Sequence, residues 1–165
     1  MITKEKKPKI SIIACLAKDG GIGKNNKLLF DIPEDLKYFH KVTQKHPVIM
    51  GYNTYKSIGH PLSMRHNIVI SKKVKKIPGY IVASDLDEAI NKASKLQKDE
   101  IFIIGGASVY EQAIKVADKL YITEVDATED ADKYFPDYSN FTKRTKIGNG
   151  KEKEFKYTFY EYERE

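Results

Sequence analysis

Asp35 is the residue of this sequence whose type and position most clearly point to chemistry. Its neighbours have the spacing of an amphipathic helix, at about 100° per residue. The mostly apolar face of that helix consists of Ile32, Leu36, Phe39 and Thr43. Asp35 lies on the same side, where a carboxylate is costly to ionise unless a cation or N–H donors pair with it. A heterocycle edge with adjacent N–H groups could do so through two hydrogen bonds. The simpler alternative is an acid that complements the helix dipole.

Two strand-to-helix turns that contain glycine suggest a phosphate site. Gly51 ends a short apolar strand, and the pair Gly105-Gly106 follows the strand 101–104 and opens into a helix. Backbone N–H groups at such a turn bind phosphate, and paired glycines let a pyrophosphate approach closely. Ser108 adds a hydroxyl near the second helix. The usual alternative is tight packing, because this turn is not the six-residue dinucleotide fingerprint.

The charge of the chain raises the possibility of nucleic-acid binding. The net charge is +6, but only three of the 29 basic residues are arginines, which leaves 26 lysines. Surfaces that clamp phosphates and recognise sequence favour arginine. There is no zinc-ligand spacing and no RNA-binding aromatic signature, so we expect neither a metal nor a nucleic-acid partner.

Length and cysteine content limit the class of protein. A chain of 165 residues is most simply one domain, and it has no apolar run long enough to span a membrane. We expect residues 1–8 to form a mobile arm and residues 9–165 to form a single catalytic domain. A single cysteine, Cys15, forms no internal disulfide and fits a cytoplasmic protein; its apolar surroundings favour a buried structural thiol.

The elements that position these residues alternate along the chain. Strands are predicted at 10–17, 47–51, 67–70, 80–83, 101–104, 120–125, 141–145 and 155–162, and helices at 31–43, from 52, from 86 and from 107. Asp31 is expected to cap the first helix, and Ser84 or Asp85 the third. The segment 19–26 is predicted to be an irregular lid, and 148–150 the turn of a C-terminal hairpin. The fold class is α/β, a mostly parallel sheet with helices on both faces and an antiparallel end.

From Ile10 almost to its C-terminus, the chain resembles bacterial dihydrofolate reductases. The resemblance is carried by Ile22-Gly23, Ile32-Pro33-Glu34-Asp35-Leu36 with Phe39, Pro47-Val48-Ile49-Met50-Gly51, Thr54 with Ser57-Ile58-Gly59, Pro61-Leu62, Arg65-His66-Asn67, Ile104-Gly105-Gly106, Val109-Tyr110-Glu111-Gln112, Leu120-Tyr121-Ile122-Thr123 and Phe135-Pro136. It implies a central eight-stranded sheet in which only the C-terminal strand is antiparallel.

The resemblance also implies a reaction, the NADPH-dependent reduction of dihydrofolate to tetrahydrofolate in one-carbon metabolism. Asp35, supported by Thr123, would anchor and polarise the pterin ring, and Arg65 would bind the glutamate α-carboxylate. The other substrate-binding residues it implies are Ile13, Cys15, Leu36, Phe39, Ile58, Leu62 and Tyr110. Antifolate inhibitors are expected ligands, and a monomer is the expected state.

For NADPH, the resemblance implies three groups of residues. On the adenosine and pyrophosphate side they are Gly51, Asn53, Thr54, Ser57, Gly105, Gly106, Ala107, Ser108 and Val109; around the nicotinamide they are Ala14, Ile22, Ile104 and Tyr110; and for the 2′-phosphate they are Ser71, Lys72 and Lys73. Three positions depart from the family pattern. Phe30 replaces a usual tryptophan, Leu29 a usual proline, and Tyr52 an often basic residue.

Two other functions fit parts of the pattern. The related reductase of riboflavin biosynthesis shares the fold and cofactor, but the helix of Asp35 and the position of Arg65 favour a folate. A lysine-rich nucleic-acid binder is the non-enzyme alternative, which a salt titration of DNA affinity would distinguish.

Overall fold

An eight-stranded sheet forms the centre of the computed structural model, which describes residues 6–165. Its strands are β1 (Lys9–Leu16), β4 (Val48–Gly51), β5 (Asn67–Ile70), β6 (Ile81–Ala83), β7 (Glu100–Gly105), β8 (Lys119–Val125), β10 (Lys143–Glu152) and β11 (Phe155–Glu163). Their order is β10-β11-β8-β1-β7-β4-β5-β6. The central strands β1, β7 and β4 pair in parallel. Strand β11 pairs antiparallel with both β8 and β10, so it alone runs against the others. The predicted eight-stranded α/β sheet is confirmed.

Helices cover both faces of this sheet, as predicted. They are α1 (Pro33–Thr43), α2 (Tyr52–Ile58), α3 (Leu86–Leu96) and α4 (Ala107–Ala113). Successive strand residues point to opposite faces. Ile12 and Ile103 therefore pack in the same cluster as residues of α3 and α4. Ile13 and Phe102 pack in a second cluster together with α1 and α2. The two apolar faces of the strands explain why the sheet is buried on both sides.

The first helix begins differently from the prediction. Its N-cap residue is Ile32, which makes no side-chain capping bond, so the prediction that Asp31 caps α1 is wrong; the Glu34 N–H of the first turn donates instead to Glu152 Oε2 over 3.2 Å. Asp31 instead lies 3.7 Å from the Lys153 ammonium at the surface. Pro33 occupies the first turn, where its missing N–H removes one donor that would need a cap.

The segment 19–26, predicted to be irregular, contains regular structure, which corrects that prediction; whether it is a lid or an ordinary connection stays a prediction. Strands β2 (Gly21–Lys24) and β3 (Lys27–Leu28) pair with each other, and β2 pairs with β9 (Lys133–Tyr134) in a three-stranded sheet. The glycines permit this pairing: a Cβ on Gly21 would lie 2.9 Å from the Ala131 Cβ. Composition alone suggested a loop because glycine is common in both settings.

The C-terminal hairpin is present at the sheet edge, but its turn is elsewhere. Gly148, Asn149 and Gly150 lie within β10 and pair with Phe159, Thr158 and Tyr157. The turn is at residues 153–154, and Lys153 has a φ of 56°. The glycines suit the interior of β10 because a Cβ on Gly150 would lie 2.5 Å from the Tyr157 hydroxyl.

The third helix is capped as predicted. The Asp85 carboxylate accepts a 2.8 Å hydrogen bond from the Glu88 backbone N–H, and the Glu88 side chain accepts a 2.9 Å bond from the Ser84 N–H. The two bonds form a variant of the capping box, in which the Glu88 side chain reaches the residue before the N-cap rather than the N-cap itself. In the predicted N-terminal arm, residues 1–5 lie outside the described part of the chain, and Pro8 is buried. Within residues 6–165, none of the helices has the length and apolar character needed to cross a membrane.

Candidate active site

Asp35 faces the sheet from the first turn of α1, as predicted from its position on the apolar side. The Thr123 hydroxyl on β8 donates a 2.5 Å hydrogen bond to Asp35 Oδ1. Thr123 is paired in register with Cys15 on β1, so both side chains point to the face that α1 covers. The dipole alternative does not explain a carboxylate held against two central strands.

Two opposing effects act on the pKa of the partly buried Asp35 carboxyl. Burial raises the pKa of Asp35, and hydrogen bonds from Thr123 and then Cys15 partly offset that effect. Burial, and then the charge of Asp35, raise the pKa of the Cys15 thiol, so Cys15 stays protonated. This agrees with a structural thiol, since the thiolate is the nucleophilic form. Asp35 still has acceptor capacity for a ligand that carries N–H donors.

Apolar residues of α1, α2, β1 and the loop after α2 form a cluster on the face of the sheet that Asp35 also faces. Ile13 and Leu62 are buried in the second cluster, and Phe39 and Ile58 are partly buried against it. Leu36 differs, because 54% of its surface is exposed. Leu36 thus presents an exposed apolar side chain on α1, one residue after Asp35. The site thus combines one carboxylate with apolar walls, a common composition for small-molecule pockets.

Arg65 lies near the C-terminal half of α1 and is fixed by protein contacts. Its Nε donates to the Ser63 carbonyl over 2.9 Å, and one terminal nitrogen, NH1, donates to Thr43 Oγ1 over 2.9 Å. NH1 also lies 3.2 Å from Nδ1 of His40. The Asn67 amide donates to the carbonyls of Leu62 and Arg65, which holds this loop in place. The guanidinium is thereby oriented on the same side of the sheet as Asp35.

The predicted phosphate residues lie at the carboxyl ends of neighbouring parallel strands. Gly51 pairs with Ile70, directly before Ser71, and Met50 pairs with Gly105. Ligands of open α/β sheets bind just beyond the carboxyl ends of the strands. Ser71 is held there by its N–H, which donates to the Ala83 carbonyl over 2.8 Å.

The backbone at the glycine pair has little room for side chains. The absence of side chains is what a close ligand approach requires. The peptide bond between Gly105 and Gly106 is cis, and Gly105 has a φ of 132°, a conformation that favours glycine. A Cβ on Gly105 would lie 3.2 Å from Thr54 Oγ1, and one on Gly51 would lie 3.1 Å from Val109 Cγ2. The turn is therefore a cradle of bare backbone beside the Thr54 hydroxyl.

The other predicted cofactor residues divide by burial. Tyr110 is buried, and its hydroxyl donates to the Ile13 carbonyl over 2.8 Å, which links α4 to the strand beside Asp35. Buried residues are Ala14, Ile104 and Val109; partly buried ones are Ile22, Thr54, Gly106 and Ala107; exposed ones are Asn53, Ser57, Lys72, Lys73 and Ser108. Ala14 and Tyr110 lie in the first core cluster and Ile104 in the second, so they belong to opposite faces of the sheet.

Comparison with known proteins decides the family. A family model described as dihydrofolate reductase matches residues 9–164. The chain belongs to the dihydrofolate reductase family. The type 3 dihydrofolate reductase of Salmonella typhimurium is 43% identical over 130 residues, which cover 78% of this chain and 79% of that protein. The dihydrofolate reductase of Bacillus subtilis (strain 168) is 38% identical over 130 residues, which cover 78% and 76%.

A third relative gives the same result at greater coverage. The dihydrofolate reductase of Buchnera aphidicola subsp. Schizaphis graminum is 43% identical over 133 residues, 80% of this chain and 81% of that protein. The resemblance predicted from the sequence motifs is confirmed. A dihydrofolate reductase needs a pterin site and a cofactor site, and this chain has a carboxylate site and a glycine cradle along one edge of its sheet.

Sequence analysis missed residues that act on this dihydrofolate reductase site through others. Thr43 and His40 contact Arg65, and Asn67 holds the loop that carries it. Thr43 gave a signal, since it is the one hydroxyl on the apolar face of α1. Asn67 and His40 gave none, because their contacts join segments far apart in the sequence.

Proposed function

We propose that Asp35 anchors the pterin ring of dihydrofolate while this chain reduces that substrate with NADPH, the reaction of its family. The observation that carries this proposal is the carboxylate of Asp35, partly buried and held by Thr123 on the face of the sheet where an apolar cluster packs. A pterin presents an amino group and a ring N–H side by side. These donors would satisfy the carboxylate by two parallel hydrogen bonds.

The role of Asp35 in the reaction is orientation and polarisation. A charged anchor in a partly buried site fixes the reacting imine of the pterin, and such positioning supplies much of the rate. The negative charge also favours protonation of the imine nitrogen, because opposite charges attract more strongly away from water. Thr123 keeps the carboxylate ionised and in place. The proton itself would come through water rather than from Asp35.

The residues along the strand ends fit NADPH. Gly51, Gly105 and Gly106 would let the pyrophosphate approach the backbone, with the Thr54 hydroxyl beside them. Ser71, Lys72 and Lys73 follow β5 at the same edge and would bind the 2′-phosphate. Bound NADPH supplies the hydride. The further contacts we propose for it are Ala14, Ile22, Asn53, Ser57, Ile104, Ala107, Ser108, Val109 and Tyr110.

The rest of the substrate would extend from Asp35 toward Arg65. Apolar side chains line this path, namely Ile13, Cys15, Leu36, Phe39, Ile58 and Leu62. The aminobenzoyl ring would pack among them, and Arg65 would bind the glutamate carboxylate. Antifolates, which share the ring system, would occupy the same path. We further propose a cytoplasmic monomer with one catalytic domain, residues 9–165.

The test is NADPH oxidation by purified protein, with and without dihydrofolate, in the wild type and Asp35→Asn. Asn keeps the shape but removes the charge, so we expect dihydrofolate-dependent turnover at pH 7 to fall by about a hundredfold or more, some 3 kcal/mol of lost anchoring. Asp31→Asn is the matched control, because Asp31 is an exposed acid four residues away. Turnover that survives in Asp35→Asn would contradict the anchor. A folded wild type that binds NADPH but does not reduce dihydrofolate would contradict the reaction.

A further inference from the structure

The guanidinium of Arg65 has most of its donors committed to the protein. Arginine carries five N–H groups, one on Nε and two on each terminal nitrogen. Nε donates to the Ser63 carbonyl, and NH1 faces both Thr43 Oγ1 at 2.9 Å and His40 Nδ1 at 3.2 Å. These three contacts use three of the five N–H groups. A carboxylate bound by two parallel hydrogen bonds needs two nitrogens of the same guanidinium. A carboxylate bound in this way therefore competes with at least one of the contacts that Arg65 makes with Ser63, Thr43 and His40.

The contact with His40 fixes the charge of that histidine. A guanidinium only donates, so Nδ1 of His40 must accept, and its proton must be on Nε2. His40 is therefore neutral whenever this contact is made. It is the longest of the three Arg65 contacts, and it is the only one whose acceptor can be removed by protonation. His40 is thus the partner that a carboxylate would displace most readily.

The surroundings of His40 make the displacement depend on protons. His40 and Arg65 line a cavity of about 550 Å³ together with Lys41, Gln44, His60, Pro61, Leu62 and Ser63. This lining, among the described residues, includes no carboxylate. Burial, and then the charges of Arg65 and His60, lower the pKa of His40. An anion that enters the cavity would reverse the sign of this field and favour a charged His40.

We propose that His40 is a proton-linked gate on Arg65. The carboxylate of the substrate's glutamate tail replaces His40 as the acceptor for NH1 of Arg65. His40 then takes up one proton from water and becomes a second cation of the carboxylate site. The gate gives this enzyme a preference for substrates with an acidic tail that increases as the pH falls. This inference rests on the proposed function, because it assumes that the tail of dihydrofolate reaches Arg65.

The experiment compares two ligands that differ only in the tail. Binding of dihydrofolate and of a 6-methyl-7,8-dihydropterin, which has no benzoylglutamate, is measured by calorimetry from pH 7.5 to 5.5, with turnover recorded on the same samples. Asp35 affects both ligands equally, so the ratio of the two dissociation constants isolates the tail. One linked proton changes affinity by at most tenfold per pH unit, and we expect the ratio to increase about three- to tenfold as the pH falls over this range.

Variants separate the gate from a structural role. His40→Asn cannot take up a proton, so the ratio should not vary with pH, while His40→Lys keeps a permanent cation and should show a high ratio at every pH. His66→Asn is the matched control, because His66 is exposed on the same loop and does not line the cavity. It should retain the wild-type dependence.

Each outcome decides one claim. A wild-type ratio that does not change with pH, or a dependence that persists in His40→Asn, would overturn the gate. If both ligands are reduced while the ratio is flat, the gate fails and the proposed function stands. If neither ligand is reduced, the proposed function fails, and proton uptake on binding still tests the gate.

Discussion

The ionised carboxylate of Asp35 lowers the free energy of unfolding at neutral pH. Because burial raises its pKa, the folded chain holds the Asp35 proton to higher pH than the unfolded chain does. The ionised carboxylate therefore destabilises the fold at neutral pH, and this penalty disappears as the pH falls through the raised value toward the ordinary one, near 4. We expect Asp35→Asn to increase the free energy of unfolding at pH 7 by about 1 kcal/mol, within the range of such active-site substitutions.

Thermal unfolding of the ligand-free protein at several pH values checks this prediction. The difference between Asp35→Asn and wild type should be largest at pH 7 and should shrink as the pH falls through the raised pKa of Asp35, because protonated Asp35 is uncharged like asparagine. Asp31→Asn should show no such pattern, since Asp31 is exposed. A variant that is less stable than wild type at pH 7 would mean that Asp35 stabilises the fold.

Thr123 gives a second prediction at the same scale. Thr123→Val keeps the shape of the side chain but removes the 2.5 Å hydrogen bond to Asp35 Oδ1. That bond lowers the pKa of Asp35, so its loss should raise the pKa further and leave the carboxylate less firmly oriented. We expect kcat/KM for dihydrofolate at pH 7 to fall about tenfold, the cost of one hydrogen bond to a charged group.

The pH dependence of kcat/KM is the measurement for Thr123→Val. Its acid limb should move to higher pH than in the wild type. Thr158→Val is a matched control on the neighbouring strand, where Thr158 pairs with Glu124 and points to the opposite face of the sheet. An unchanged profile in Thr123→Val would show that Asp35 does not need this donor.

At the residue scale, the sequence placed Asp35 on the face that α1 turns to the sheet, but it did not find the residues that hold Arg65. Asp35 was found because helical spacing placed an acid on an apolar face, which is a local signal. His40 and Asn67 were not found, because their contacts with Arg65 and Leu62 depend on how α1 and the loop before β5 meet. Spacing along one element does not contain that information.

At the scale of elements, glycine was the main source of error. The segment 148–150 was predicted to be a turn because Gly-Asn-Gly is typical of hairpin turns. The structure uses these glycines inside β10, where Tyr157 fills the space over Gly150, and it turns at Lys153 instead. Gly21 was likewise placed in a loop although it lies in a strand. In both cases the glycine is explained by a close neighbour from a distant segment.

The turn at Lys153 leads to a prediction about the hairpin. A lysine with a φ of 56° is strained, whereas glycine adopts this conformation without cost. Lys153→Gly should therefore stabilise the protein by about 0.5 to 1 kcal/mol, and its lost ion pair with Asp31 is too exposed to matter. Thermal unfolding should show an increase of about 1–4 °C. Lys151→Gly, two residues earlier within β10, is the control and should destabilise the hairpin.

At the scale of the whole molecule, the fold followed from the order of its elements. Buried apolar strands alternating with helices predicted a mostly parallel sheet covered on both faces, and the structure has that sheet. The small sheet formed by β2, β3 and β9 could not be predicted, because its strands are short and polar. Parallel strands also place their carboxyl ends together, which is why the residues at the ends of β4, β5 and β7 that we propose for the cofactor lie side by side.

The net charge of +6 bears on which nicotinamide cofactor this molecule prefers. Lys72 and Lys73 follow β5 at the proposed cofactor site and are exposed. A 2′-phosphate distinguishes NADPH from NADH, and charge-assisted contacts from two lysines would be lost with NADH. A ligand that binds only the folded state at a hundred times its dissociation constant adds about 2.7 kcal/mol to stability. For a chain of this size, that corresponds to an increase of about 5–10 °C in Tm.

We therefore expect NADPH to raise Tm by this amount and NADH, at the same concentration, to raise it by less than half as much. In the double variant Lys72→Gln/Lys73→Gln, the NADPH shift should fall to the level of NADH, while the NADH shift stays unchanged. Lys75→Gln/Lys76→Gln is the matched control, because it removes the same charge from the same loop. If Lys75→Gln/Lys76→Gln lowers the Tm shift caused by NADPH by the same amount, the preference comes from the overall positive field of the molecule. Equal shifts by the two cofactors in the wild type would contradict the preference itself.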